Sequence, residues 1–141
     1  MAIIYRLESL NNVSDTNPEV NLGAYRARIA EAPSGWIGTD EVHPAPWQDP
    51  LLKDIWDVMR DTQDENGYSG SYGYVFGFDT LAQLKEWFFV EHAMQELDEL
   101  EAGRIGCYLV PDELMHKGRR QVIALSSEMK LIETRKCYEE K

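Results

Sequence analysis

Residues 74–88, YVFGFDTLAQLKEWF, change from an alternating apolar pattern to a helical one across a single Asp-Thr pair. The alternation predicts a strand, and Gly77 within it indicates a bulge or the close approach of another backbone. Asp79 or Thr80 can cap the helix that follows, and Thr80 with Gln83 fits a capping box. The apolar residues expected to pack between strand and helix are Phe76, Phe78, Leu81, Leu84, Trp87 and Phe88.

The next stretch, EHAMQELDELEAG at residues 91–103, has the period of an amphipathic helix. Its apolar positions Met94, Leu97 and Leu100 are predicted to point inward, and Gly103 is predicted to end the helix. The outward positions form the densest acidic surface of the chain, made of Glu91, Glu96, Asp98, Glu99 and Glu101.

Strand patterns recur at residues 2–8, 105–111, 121–125 and 129–138. Ile4 and Arg6 share one face of the first strand, so Arg6 is expected inside or beside a sheet, where it could form an ion pair with Glu128. The second and third of these strands are expected to pair across a loop. Residues 9–34 are predicted to be mostly loop, and residues 50–60 a helix.

Helices between strands, followed by strands joined by short loops, are typical of an α+β fold. The length of 141 residues suits one domain with one ordinary core. We therefore predict a single α+β domain covering residues 1–141, with a mostly antiparallel sheet of four to five strands packed against two to three helices.

The net charge of −11 changes which partners are expected. Residues 1–102 contain 6 basic and 19 acidic residues, whereas residues 103–141 contain 8 basic and 6 acidic residues. This field repels phosphate backbones, so direct nucleic-acid binding is disfavoured and a protein with a cationic surface is favoured. The alternative is that the acidic residues only keep the protein soluble.

No apolar run is long enough to span a bilayer or to form a secretory signal, so a cytoplasmic protein without a membrane partner is expected. Cys107 and Cys137 lie far apart and fit no metal or redox motif, which favours reduced, buried thiols. The three histidines are 49 and 24 positions apart without a partner at ligand spacing, so no metal site is predicted.

Aromatic residues on two polar or proline-rich segments are candidates for partner contacts. Trp47 lies in HPAPWQDP, and Tyr68 and Tyr72 lie in the Gly-rich segment at residues 61–73. Aromatic anchors ringed by polar residues are common binding hot spots, although Pro-Trp segments also serve as ordinary packing.

The segments YVFGFDTLAQLKEWF, IYRLE, GAYR, HPAP and QVIAL together resemble a group of small phage and prophage proteins. Such proteins often act on a host machine, including as inhibitors of host defence systems. The resemblance implies an accessory protein that binds and modulates a host protein in the host cytoplasm and needs no cofactor, or alternatively a virion or assembly component.

The order of features is also similar to the ADP-ribosyltransferase fold, in which residues on two strands and a late Glu surround NAD. On that resemblance Arg6, Tyr74 and Glu128 would be the catalytic residues and NAD the cofactor. The chain departs from the pattern because it has no S-T-S strand. A protein-binding function is therefore the first hypothesis and an NAD-dependent enzyme the second.

Overall fold

The computed structural model describes residues 1–13, 17–23, 52, 74–87, 91–119 and 121–138. The first strand, β1 (Ala2–Val13), runs well past the predicted loop boundary at residue 9, and β2 (Asn21–Gly23) pairs antiparallel with it. The polar residues of this region extend the strand because Asn21 donates side-chain hydrogen bonds to the carbonyls of Ser9 and Leu10. The prediction of loop is therefore wrong at residues 9–13 and at Asn21.

The remaining elements follow in chain order. They are β3 (Tyr74–Gly77), α1 (Leu81–Trp87), α2 (Glu91–Glu99), β4 (Gly103–Val110), β5 (Met115–Lys117), β6 (Val122–Leu125) and β7 (Lys130–Arg135). Short 3-10 turns at Asp112–Leu114 and Ser126–Glu128 follow β4 and β6. No helix among the described residues is long and apolar enough to cross a membrane.

The strands form two antiparallel sheets. One has the order β2-β1-β4-β7 and the other the order β3-β6-β5. Tyr5 and Phe78 join them by exchanging two backbone hydrogen bonds, with N–O distances of 2.7 and 2.8 Å. The predicted α+β class with antiparallel pairing is confirmed, but the described part has seven strands in two sheets instead of four or five in one.

The predicted pairing between residues 105–111 and 121–125 is wrong. β4 lies between β1 and β7, whereas β6 lies between β3 and β5. Residues 115–117, expected to be loop, form β5 and turn back onto β6 around Gly118, whose N–H donates to the carbonyl of Gln121 at 2.7 Å. Both edges of β6 are thus occupied, one by β3 and the other by β5.

Two apolar clusters lie on opposite faces of the four-stranded sheet because side chains alternate along β1 and β4. The helix-side core consists of Leu7, Phe78, Leu84, Met94, Leu97, Ile105 and Cys137. The inter-sheet core consists of Ile4, Val20, Tyr108, Val110, Val122, Ala124 and Met129. The inner faces of both sheets contribute to this second core, so burial holds the sheets together.

The predicted strand-to-helix unit is present. The N–H of Gln83 donates to Oγ1 of Thr80 at 3.1 Å, and Leu84 is fully buried. A Cβ at Gly77 would lie 2.7 Å from the carbonyl oxygen of Tyr5, which explains the glycine by close approach. Phe76, however, is 39% exposed and is not part of the helix-side core, contrary to the sequence prediction.

Helix α2 ends in a way that the sequence did not indicate. The N–H of Ala102 donates to the carbonyl of Leu97 and that of Glu101 to the carbonyl of Asp98, which is the Schellman pattern. Glu101 takes the left-handed position with φ of 51°, and the predicted stop at Gly103 is wrong because Gly103 begins β4. Leu100, predicted to be inward, is 55% exposed.

The predicted helix over residues 50–60 lies outside the described residues apart from Leu52, which is fully buried.

Candidate functional site

The carboxylate of Glu8 is fully buried and lies at the centre of a hydrogen-bonded cluster in the described interior. It accepts hydrogen bonds from Arg6 at 2.8 Å and from Nε of Arg104 at 3.0 Å. The Tyr108 hydroxyl lies 2.6 and 2.7 Å from its two oxygens. We call these four residues the buried polar cluster.

Strand register brings this cluster together. Glu8 lies directly opposite Arg104, and Arg6 lies opposite Gly106, so all four positions point to the same face of the sheet. Gly106 leaves the room that the carboxylate occupies, because a Cβ there would lie 2.5 Å from Oε1 of Glu8 and 2.8 Å from the Tyr108 hydroxyl.

The two guanidinium groups also bind backbone carbonyls. Nε of Arg6 donates to the carbonyl of Phe76 at 2.7 Å, and its Nη1 donates to the carbonyl of Asn21 at 3.1 Å. Nη2 of Arg104 donates to the carbonyl of Glu19 at 3.2 Å. The cluster therefore ties β1, β2, β3 and β4 to one another, and its donors are used inside the protein.

Burial and the neighbouring charges shift the pKa values of Glu8 and Tyr108. Burial raises the pKa of Glu8, while Arg6, Tyr108 and Arg104 act in the opposite direction. The pKa of Tyr108 is raised by burial and by the Glu8 carboxylate, so the phenol remains a protonated donor at neutral pH. The members of the buried polar cluster stabilise one another. The sequence does contain one signal of the cluster, because Arg6 and Glu8 are two positions apart and therefore share one face of β1.

The three residues of the ADP-ribosyltransferase hypothesis lie in different surroundings. Arg6 is buried and pairs with Glu8 instead of Glu128, which is exposed in the turn after β6. Tyr74 is half-buried with its ring centroid 6.1 Å from that of His116, and burial raises its pKa. Among the described contacts, none joins these three side chains, and their assignment to NAD chemistry stays a prediction.

The acidic residues of α2 divide into two kinds. Asp98 accepts hydrogen bonds from the backbone N–H groups of Cys137 and Tyr138 at 2.8 and 2.9 Å, so it anchors the segment after β7. Glu96 is half-buried, whereas Glu99 and Glu101 are exposed on either side of the exposed Leu100. We call Glu99, Leu100 and Glu101 the acidic helix end.

The other predicted partner-binding residues lie outside the described part of the chain. These are Trp47, Tyr68, Tyr72 and the side chain of Glu91. Their prediction as partner contacts is neither confirmed nor contradicted.

Both cysteines are unpaired thiols and buried. Burial raises the pKa of each, which disfavours the reactive thiolate. Within the described ranges, no three His, Cys, Asp or Glu side chains are grouped as metal ligands.

One protein-family model matches residues 1–138, and its description is Bacteriophage T4 Y00F protein. This match confirms the resemblance to phage proteins. That the sequence of the strand-to-helix unit is a signature of the family stays a prediction. Searches of curated proteins and of solved structures find no match.

Proposed function

The chain belongs to the Bacteriophage T4 Y00F protein family, and we propose that this phage protein binds a host protein through the acidic helix end and inhibits it. The partner would present a cationic surface around an apolar pocket. The observation that carries the proposal is an exposed Leu100 flanked by two exposed carboxylates at the end of a helix.

An apolar side chain within a charged rim has the arrangement of a protein interface, which has an apolar centre and a polar rim. The apolar centre supplies affinity once water is removed, and the charged rim sets the encounter rate and the choice of partner. No Lys or Arg occurs between residues 86 and 103, so the charged side chains of α2 and of its end are all acidic. Leu100 at 55% exposure would gain from burial in a partner.

The class of target follows from this charge. Host proteins that hold nucleic acid have cationic surfaces, and a carboxylate-rich surface can compete with the phosphate backbone for them. Host defence factors that recognise nucleic acid are one such class. An inhibitor of this kind needs no cofactor and no direct contact with nucleic acid.

The test is capture of host proteins by three forms of the tagged chain: the natural protein, the double variant Glu99→Lys with Glu101→Lys, and a matched control, Glu113→Lys with Glu128→Lys. Both variants change the net charge equally. Glu113 and Glu128 are exposed and lie beyond the Val110 end of β4, about 25 Å from its Gly103 end by strand rise.

We expect a host protein that the natural chain and the control retain, that the Glu99/Glu101 variant loses, and that is released by raising the salt to about 1 M. A Leu100→Ser variant should also lose it without any change of charge. Equal retention by all forms would contradict the assignment of this surface.

A further inference from the structure

The described helices cover only one end of the helix-side face of the four-stranded sheet. Side chains of α1 and α2 pack with Leu7 and Ile105, which lie opposite each other on β1 and β4. Ile3 and Leu109 are another opposed pair on this face, and among the described residues they belong to neither core. Leu109 is half-buried and Ile3 is 40% exposed, although β1 and β4 are the two central strands.

Ile132 on β7 is a third apolar residue beside this pair. Lys130 lies opposite Leu109, and Ile132 follows two positions later, where the register between β4 and β7 shifts. The Ile132 side chain is 46% exposed. We call Ile3, Leu109 and Ile132 the sheet patch. Contiguous exposed apolar residues with a polar rim are typical of protein–protein contact sites.

The charged residues next to the sheet patch have both signs. Lys130 and Glu128 are exposed, and Oε1 of Glu133 lies 3.0 Å from Nε of Arg135. Both β4 and β7 belong to residues 103–141, which contain 8 basic and 6 acidic residues, whereas residues 1–102 contain 6 basic and 19 acidic residues. The sheet patch therefore lies in the part of the chain whose charge is nearly balanced.

From this exposure, register and charge we propose that the sheet patch binds a second copy of this chain, in a twofold-symmetric dimer whose four-stranded sheets pack face to face. A twofold contact brings the same surface of both copies together, so it needs an apolar centre and a rim in which each charge can meet its opposite. Sheets that pack face to face lie about 10 Å apart and interdigitate their side chains, which suits aliphatic residues on central strands.

The charge of the chain favours this occupant over a cationic host protein. A cationic protein is attracted to the acidic helix end, at the Gly103 end of β4, and gains little from a rim of balanced charge near Leu109. Two copies with a net charge of −11 each repel one another at long range, and salt screens that repulsion. Self-association should therefore tighten as the salt rises, whereas binding through the acidic helix end should weaken.

The test is sedimentation velocity of the full chain at about 10–300 µM protein, in about 50 mM and about 500 mM salt. We expect a dimer whose fraction rises with protein concentration. Its Kd should be micromolar at the higher salt and weaker by about threefold or more at the lower salt.

Two substitutions that leave the charge unchanged locate the contact. Ile3→Ser and Ile132→Ser should each weaken the dimer by about 10-fold or more, because a twofold contact loses two buried side chains per substitution. The matched control is Leu10→Ser, since Leu10 lies on the same strand as Ile3 and is 41% exposed, but towards the other end. This control should leave the Kd within about twofold. Thermal melting identifies loss of folding, and Ile132→Ser on β7 decides the outcome if Ile3→Ser does not fold.

A chain that stays monomeric at about 300 µM in both salts would overturn the proposal. A dimer that Leu10→Ser weakens as much as the two patch variants would also overturn it. So would a dimer that loosens as the salt rises, because attraction between the acidic helix end and basic residues of another copy would then explain it. A monomeric chain whose patch variants lose a captured host protein would assign the sheet patch to that host protein instead.

Discussion

Glu8 and Glu99 are the same residue type in two contrasting environments. Glu8 is fully buried and accepts hydrogen bonds from two arginines and a tyrosine, whereas Glu99 is exposed beside an exposed leucine. The carboxylate of Glu8 connects strands, and the groups that donate hydrogen bonds to it belong to the same protein. The second has the exposure that a partner requires.

This contrast shows that the number of acidic residues does not identify those that bind. Even within α2, Asp98 holds the backbone of the segment after β7, while Glu99 one position later is exposed. Burial and hydrogen-bond partners therefore separate architectural carboxylates from candidates for recognition.

The largest effect is expected from removing the buried carboxylate. Glu8→Ala should lower the free energy of unfolding by about 3–5 kcal/mol, because it removes the acceptor that the buried Arg6, the half-buried Arg104 and the Tyr108 hydroxyl share. Glu99→Ala, the matched control at the surface, should change it by less than about 0.5 kcal/mol. Urea unfolding of both variants measures the difference, and a Glu8 effect as small as that of Glu99 would contradict the contrast.

A smaller loss of stability is expected from a substitution at Gly106. In Gly106→Ala the new methyl group meets Glu8 and Tyr108 at 2.5 and 2.8 Å, so the cluster must shift. We expect a loss of about 1–3 kcal/mol, the usual range for overpacking. Circular dichroism during urea unfolding checks this, and an unchanged midpoint would show that the cluster is looser than the structure describes.

The protonation of Glu8 should also contribute to the pH dependence of the free energy of unfolding. Because burial raises its folded-state pKa above the usual 4.5, the folded protein holds this proton more tightly than the unfolded chain. The stability contribution of Glu8 is present in full below the unfolded pKa and falls as the pH rises through the folded pKa.

The stability of the natural protein relative to Glu8→Gln should therefore decrease as the pH rises from about 4.5, the glutamine variant being the reference without this titration. Urea unfolding at a series of pH values measures the relative stability. A relative stability that rises with pH would indicate that the arginines outweigh burial.

The smallest effect is a gain in stability at the acidic helix end. Glu101→Gly should stabilise the protein by about 0.5–1 kcal/mol, because φ of 51° is strained for a residue with a Cβ. The same change at Glu99, within the helix, should destabilise by about 1 kcal/mol. Thermal melting distinguishes the two variants. If both changed the melting temperature in the same direction, Glu101 would not be the left-handed residue that ends α2.

Local patterns predicted local structure well. The strand from Tyr74, the cap at Thr80 and the helix from Leu81 depend on neighbours within a few positions, and all are present. The pairing of β6 could not be predicted in the same way, because β3 lies about 48 positions before it and competes with β4 through tertiary packing.

The candidate sites were predictable only in part. Arg6 was expected within a sheet, but Tyr108 is 100 positions from Glu8 and no local pattern joins them. Leu100 fitted the apolar stripe of α2 yet is exposed, because the helix ends one residue earlier and the chain turns at Glu101. Helix endings formed by a non-glycine residue carry no clear sequence signal.

We propose that the acidic helix end, and not net charge, determines partner binding. The direct test is the Kd of the captured and purified host protein, measured by calorimetry for the Glu99/Glu101 and Glu113/Glu128 lysine variants at about 50 mM salt. We expect about 10-fold or greater weakening of binding for the first variant and less than about threefold for the second. Equal weakening by the two variants would show instead that net charge alone explains the binding.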